Sequence, residues 1–95
     1  MSYVDLKNKI ILVTGAAGFI GSNLANRLFN DVEDVTVIGI DNMNDYYDVR
    51  LKEARLSELS AHPSFIFVKG SIADKDMVNK IFDQYRPQVI VNLAA

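Results

Sequence analysis

At 95 residues, 49% hydrophobic and 23% charged, the chain has the composition of one small folded domain and not of a disordered segment. A net charge of −2 with no basic patch among aromatics argues against nucleic acid as a partner, and the absence of cysteine excludes a disulfide framework and thiolate metal ligation, as expected of a cytoplasmic protein. No apolar run approaches the ~20 residues a membrane span needs, and the first seven residues lack the apolar core of a signal peptide, so no membrane association is expected.

Residues 1 to 8 read as a polar lead-in and residues 9 to 14 as a first strand, apolar on both faces like a parallel strand covered by helices. This strand runs into Thr14-Gly15-Ala16-Ala17-Gly18-Phe19-Ile20-Gly21, three glycines spaced three apart, and then into helical periodicity. Such a turn leaves backbone N–H groups converging where the positive end of the helix dipole favours negative charge, so it suits a diphosphate. Gly15 is expected to let the chain turn off the strand, Gly18 to let backbone approach the phosphates, and Gly21 to let helix pack closely on sheet. The helix should cover residues 18 to 30, with Ile20, Leu24, Arg27 and Leu28 sharing a face and Leu24 and Leu28 buried against the sheet.

Residues 35 to 40 form a second strand ending on Asp41, about 20 residues after Gly21, where an acidic side chain accepts hydrogen bonds from adenosine ribose hydroxyls. Gly39 is expected to permit close approach of the adenosine. Asp45 is a candidate N-cap for a second helix over residues 47 to 60, with Val49, Ala54, Leu56 and Leu59 in its apolar positions. His62 and Pro63 lie in the following loop. Residues 64 to 68 form a third strand with Phe65 and Phe67 sharing a core-facing side. After the turn Gly70-Ser71-Ile72-Ala73, Asp74 should cap a third helix through residue 85 whose buried stripe is Met77, Val78, Ile81 and Phe82. Arg86-Pro87 ends it, and residues 88 to 93 form a fourth strand. Asp45, Asp48 and Asp74 read as helix caps or solvated groups, and no metal site is expected.

Four strands alternating with three helices give an α/β fold. Right-handed crossovers place its parallel strands in the order 3-2-1-4, half of a doubly wound Rossmann sheet. The length is short for a complete dinucleotide enzyme.

The run Thr14 to Ser22 resembles the TGxxGFIG fingerprint of the extended short-chain dehydrogenase/reductase superfamily, which contains nucleotide-sugar epimerases and dehydratases, and the similarity spans nearly the whole chain. Asp41-Asn42-Met43-Asn44-Asp45-Tyr46-Tyr47-Asp48, with Leu51-Lys52 and Arg55-Leu56, resembles the UDP-glucuronate 4-epimerase branch. At matching positions the resemblance implies that Gly15, Gly18 and Gly21 form the phosphate loop, that the Phe19 and Ile20 backbone meets the pyrophosphate, and that Asp41 binds the ribose with Asn42 and Asn44 nearby. It further implies that Ser71 and Ile72 lie at the adenine, where relatives often carry Asp in place of Ser71, and that Leu93, Ala94 and Ala95 pass beside the cofactor toward the nicotinamide. With Asp41 and no adjacent arginine, the cofactor is expected to be NAD and not NADP. Asn92 replaces a common histidine; it either reaches the active-site side or satisfies a strand-end group. Tyr46 and Tyr47 either cover the adenine edge or sugar site or pack the second helix.

The implied chemistry is hydride transfer at the sugar C4, with a Tyr-x-x-x-Lys pair as acid and base. Tyr46, Tyr47 and Tyr85 have no lysine four residues later, and Tyr3, which precedes Lys7 at that spacing, stands before the first strand. No catalytic residue is therefore assigned within these 95 residues, and the pair is expected beyond residue 95. The chain is expected to be the N-terminal part of an NAD-binding domain, residues 1 to 95, without its substrate domain: inactive and weakly NAD-binding alone, the nucleotide sugar being the partner of the full-length parent. A 4,6-dehydratase or reductase fragment, or a free-standing dinucleotide-binding module, are the alternatives. An unpaired fourth-strand edge predicts self-association.

Overall fold

The structure, a computed structural model, describes residues 7–43 and 49–93. In chain order it contains β1 (Ile10–Thr14), α1 (Phe19–Asp31), β2 (Thr36–Asp41), α2 (Val49–Leu59), β3 (Phe65–Lys69), α3 (Lys75–Tyr85) and β4 (Val89–Asn92). The strands make one sheet in the order β3-β2-β1-β4, and all three pairings are parallel. Both the α/β class and the strand order match the expectation from sequence.

The chain steps in one direction from β1 to β2 to β3, then returns across β1 to lay down β4. Right-handed crossovers taken in opposite directions must cover opposite faces. Accordingly α1 and α2 bury Ala25, Leu28 and Leu59 against Ile11, Val13 and Val37 on one face. On the other, α3 buries Ile81 against Leu12, Ile38 and Ile40, with Met77 and Phe82 packed beside it. The alternation along β1 and β2 is the period of two of a strand, and because both faces are covered the middle of each run is apolar on both sides.

Several expectations need correction. Val35 precedes β2 yet is buried, and β2 and β3 each extend one residue further than expected, to Asp41 and Lys69. Ile20 faces solvent, being 66% exposed at the start of α1, while Leu24 packs against the core from its margin. Of the apolar positions expected in α2, only Leu59 is buried; Val49 and Ala54 are exposed and Leu56 is half-buried, because this helix rests on the margin of the sheet beside α1. Phe65 and Phe67 are half-buried, as befits the edge strand β3. Phe65 also meets Phe29 edge-on, and His62 stacks on Phe29 with 4.3 Å between ring centroids. Asp74 caps α3, its Oδ1 accepting from the Met77 N–H at 3.2 Å. The expected cap Asp45, together with Tyr3, Tyr46, Tyr47 and Asp48, lies outside the described residues.

Candidate dinucleotide site

The glycine-spaced turn follows the carboxyl end of β1. Gly15 takes a φ of 72°, the left-handed conformation that lets the chain leave the strand sharply. Its N–H and that of Ala16 both donate to the Ile40 carbonyl, at 2.8 and 3.2 Å, which ties the turn to β2. The Gly18 N–H donates to the Gly15 carbonyl at 3.0 Å, and the Ser22 N–H donates to the Gly18 carbonyl at 2.9 Å as α1 begins.

The amides of Phe19, Ile20 and Gly21 are spent differently. Among the described residues none of the three donates to a carbonyl or side chain, so the first turn of α1 keeps its N–H groups for an external acceptor. Gly18 at the N-cap supplies no side-chain cap, and the first turn carries no acidic residue to offset the positive helix end. Donors and dipole coincide at a mouth where the Phe19 and Ile20 side chains are 68% and 66% exposed. An anion fits this arrangement.

Gly21 has a different task from the one expected. A Cβ there would collide with the Gly15 carbonyl oxygen and lie 2.9 Å from the Gly15 carbonyl carbon, so its missing side chain seats α1 on the turn backbone and not on the sheet. Gly39 is likewise corrected: its absent Cβ makes room for Ala16, 2.7 Å away, and the Phe65 ring, which is core packing and not an approach path for adenosine.

Asp41, the last residue of β2, is buried, with its carboxylate turned back to the turn. Its Oδ2 accepts the Ala17 N–H at 3.0 Å, and its Oδ1 accepts the Met43 N–H at 2.8 Å and the Lys52 ammonium at 3.0 Å. Both members of that ion pair are largely shielded, their side chains 13% exposed for Lys52 and 3% for Asp41. One turn further along α2, Arg55 Nη1 donates to the Ala17 carbonyl at 3.2 Å, and its guanidinium lies 5.9 Å from the centroid of the Phe19 ring. Ala17 is thus held at its N–H by β2 and at its C=O by α2, so the turn is set before any ligand arrives.

The remaining candidates gather at the same edge. The Gly70 N–H donates to the Asp41 carbonyl at 3.0 Å, bringing the turn that carries Ser71 and Ile72 alongside Asp41, where both are exposed. Ser71 Oγ accepts the Ala73 N–H at 3.1 Å. At the end of β4, Asn92 Oδ1 accepts from the Thr14 hydroxyl at 2.6 Å, and that hydroxyl accepts the Leu93 N–H at 3.0 Å. Asn92 therefore fastens β4 to β1 through a side chain. Gly15, Gly18, Phe19, Ile20, Gly21, Asp41, Asn42, Ser71, Ile72 and Leu93 all sit where the strands end, the edge at which open parallel sheets bind ligands. Asn44, Ala94 and Ala95 lie outside the described residues.

Lys52 and Arg55 were not foreseen as site residues. Their three-residue spacing places them on one face of α2, but only the packing of α2 turns that face to the glycine turn. Among the described residues no three His, Asp or Glu side chains cluster as metal ligands, and no helix is long and apolar enough to cross a membrane.

Comparison with known proteins gives a consistent picture. Residues 12–95 match the family described as GDP-mannose 4,6 dehydratase. Protein CapI of Staphylococcus aureus is 47% identical over 85 residues, covering 90% of this chain and 25% of that protein. A UDP-glucuronate 4-epimerase of Thermodesulfobacterium geofontis is 42% identical over 84 residues, covering 88% and 25%. Among solved structures, the dTDP-glucose 4,6-dehydratase of Bacillus anthracis in complex with NAD superposes with a TM-score of 0.81 at 33% identity, covering 92% of this chain and 27% of that one. The UDP-glucuronic acid 4-epimerase of Bacillus cereus in complex with UDP-glucuronic acid and NAD superposes with a TM-score of 0.77 at 35% identity, covering 90% and 26%. The chain spans about a quarter of the length of these relatives. With residues 12–95 matched by the family model, the chain belongs to the NAD-dependent epimerase and dehydratase family described as GDP-mannose 4,6 dehydratase.

Proposed function

We propose that this chain holds the adenosine diphosphate half of NAD for a nucleotide-sugar epimerase of the UDP-glucuronate 4-epimerase kind. The observation that carries the reading is the pair of undonated amides of Phe19 and Ile20 at an uncapped helix start beside the buried Asp41 carboxylate. In the reading, those amides bind the pyrophosphate, Asp41 accepts from a ribose hydroxyl, and Asn42, Asn44, Ser71 and Ile72 border the adenosine. Leu93, Ala94 and Ala95 lead toward the nicotinamide. The bound cofactor supplies a hydride acceptor and donor, and the parent enzyme would use it to oxidise and re-reduce the sugar C4. Because no residue within the 95 is assigned the acid–base role, residues 1–95 are proposed as the N-terminal part of an NAD-binding domain, inactive by itself, with the nucleotide sugar held elsewhere in the parent.

Calorimetric titration of NAD into the protein, with amide chemical shifts followed in parallel, tests the cofactor reading. Phe19 and Ile20 should show the largest shifts; saturating NAD without perturbing them removes the basis of the proposal. For the parent activity, UDP-glucuronate should yield its C4 epimer. A second reading, nucleotide-sugar 4,6-dehydration, is favoured by the name of the matching family and by the Bacillus anthracis neighbour. A 4-keto-6-deoxy product from a UDP- or dTDP-glucose substrate, with no epimer from UDP-glucuronate, decides for it.

A further inference from the structure

An aspartate at the end of the second strand is commonly taken to select NAD, because its charge repels the 2′-phosphate of NADP. Here that carboxylate does not stand alone. Its ion pair with Lys52, shielded on both sides, offsets the charge of the carboxylate, and Arg55 adds a positive charge one turn along the same helix. Oδ1 already accepts two N–H groups and Oδ2 one, so of roughly four acceptor positions on a carboxylate about one is left for a ribose hydroxyl. The repulsive field against a 2′-phosphate is therefore weakened, while an ammonium lies 3.0 Å from the group that would meet it.

We infer that Lys52 is a specificity-determining residue that masks Asp41 and serves as a latent ligand for a 2′-phosphate, so that the Asp41–Lys52 pair, and not Asp41 alone, sets the balance between NAD and NADP. The inference rests on the dinucleotide reading of the site. When a 2′-phosphate enters, Lys52 exchanges its carboxylate partner for a phosphate oxygen. When a plain ribose enters, Lys52 stays on Oδ1 and the ribose hydroxyl takes the remaining acceptor position.

The test is a set of calorimetric titrations of NAD and of NADP into the full-length protein, at low and moderate salt. Asp41→Asn keeps the size of the side chain and removes the charge; it should shift the NADP to NAD affinity ratio toward NADP by about tenfold or more, the equivalent of one decade in binding constant. Lys52→Met should shift the ratio about tenfold the other way, and Lys52→Arg should restore it toward wild type. Asp41→Asn combined with Lys52→Met should lose the gain seen in Asp41→Asn alone. The NADP affinity of Asp41→Asn should also fall with salt more steeply than that of the wild type, as a charge–phosphate contact requires. A ratio that stays at its wild-type value in Lys52→Met, whether or not Asp41→Asn shifts it, overturns the inference even if the wild type binds NAD well. A wild type that binds neither nucleotide overturns the dinucleotide reading beneath it. Circular dichroism of each variant separates loss of fold from loss of binding.

Discussion

Gly21→Ala puts two opposed effects of known sign against each other. In an ordinary helix interior, replacing Gly with Ala is stabilising by about 1 kcal/mol, since alanine loses less backbone freedom. At Gly21 the added Cβ meets the Gly15 carbonyl oxygen at less than contact distance, the Gly15 carbonyl carbon at 2.9 Å and Ala16 Cα at 3.1 Å. All three are backbone, so no flexible side chain can swing aside, and the start of α1 must lift from the turn. Overpacking of this kind costs about 1–3 kcal/mol, and with an immovable neighbour the upper part of that range applies, so the net effect should be a destabilisation of about 1–2 kcal/mol. Urea unfolding followed by circular dichroism should show a midpoint lower by about 1 M for a slope of 1–2 kcal/mol per molar. The Phe19 and Ile20 amides move with the helix start, so affinity for NAD or ADP should fall in the same variant. A Gly21→Ala protein as stable as wild type, or more so, refutes the close approach of α1 to Gly15 and with it the preformed anion site.

Removing the Asp41 carboxylate leaves the buried Ala17 N–H without its acceptor and takes one contact from Lys52, so Asp41→Ala should lose about 1–3 kcal/mol of stability in chemical unfolding, and an unchanged stability would contradict the buried hydrogen bond. Asp74→Ala removes the acceptor for the Met77 N–H at the start of α3 and should cost about 1 kcal/mol by thermal melting without touching nucleotide affinity; a change in NAD binding would show that α3 is coupled to the site. On β4, Ile90 is aligned with Leu12 on the face covered by α3 yet is 54% exposed, and the strand's outer edge has no neighbour among the described residues. We expect the 95-residue chain to self-associate there, with Ile90→Lys shifting it toward monomer in light scattering; a wild-type chain monomeric at high concentration counts against this.

The order of elements, the parallel sheet and the place of the glycine turn were legible because each rests on local chemistry. Continuous apolar runs mark strands covered on both faces, three-and-four spacing marks helices, and Gly15, Asp74 and Pro87 punctuate them. Asp41 was legible through its distance from Gly21. What Asp41 does in the folded chain was not, because its partners come from three segments: Ala17 from the turn, Met43 just beyond the strand and Lys52 from α2. The depth of burial of α2, of Phe65 and of Phe67 was overestimated for a related reason. An apolar residue reads the same in sequence whether its element lies at the centre of a sheet or at its margin, and that distinction arises only when the strands assemble. Likewise the need for glycine at positions 21 and 39 was visible, but the atoms that impose it, the Gly15 carbonyl and the Ala16 and Phe65 side chains, are brought there by crossing backbones. Sequence alone thus determined which elements form and where the glycine turn opens a helix N-terminus. Tertiary structure decided that Lys52 and Arg55 of α2 join that site, since the direction a helix face looks depends on how the helix packs and not on the spacing of its residues.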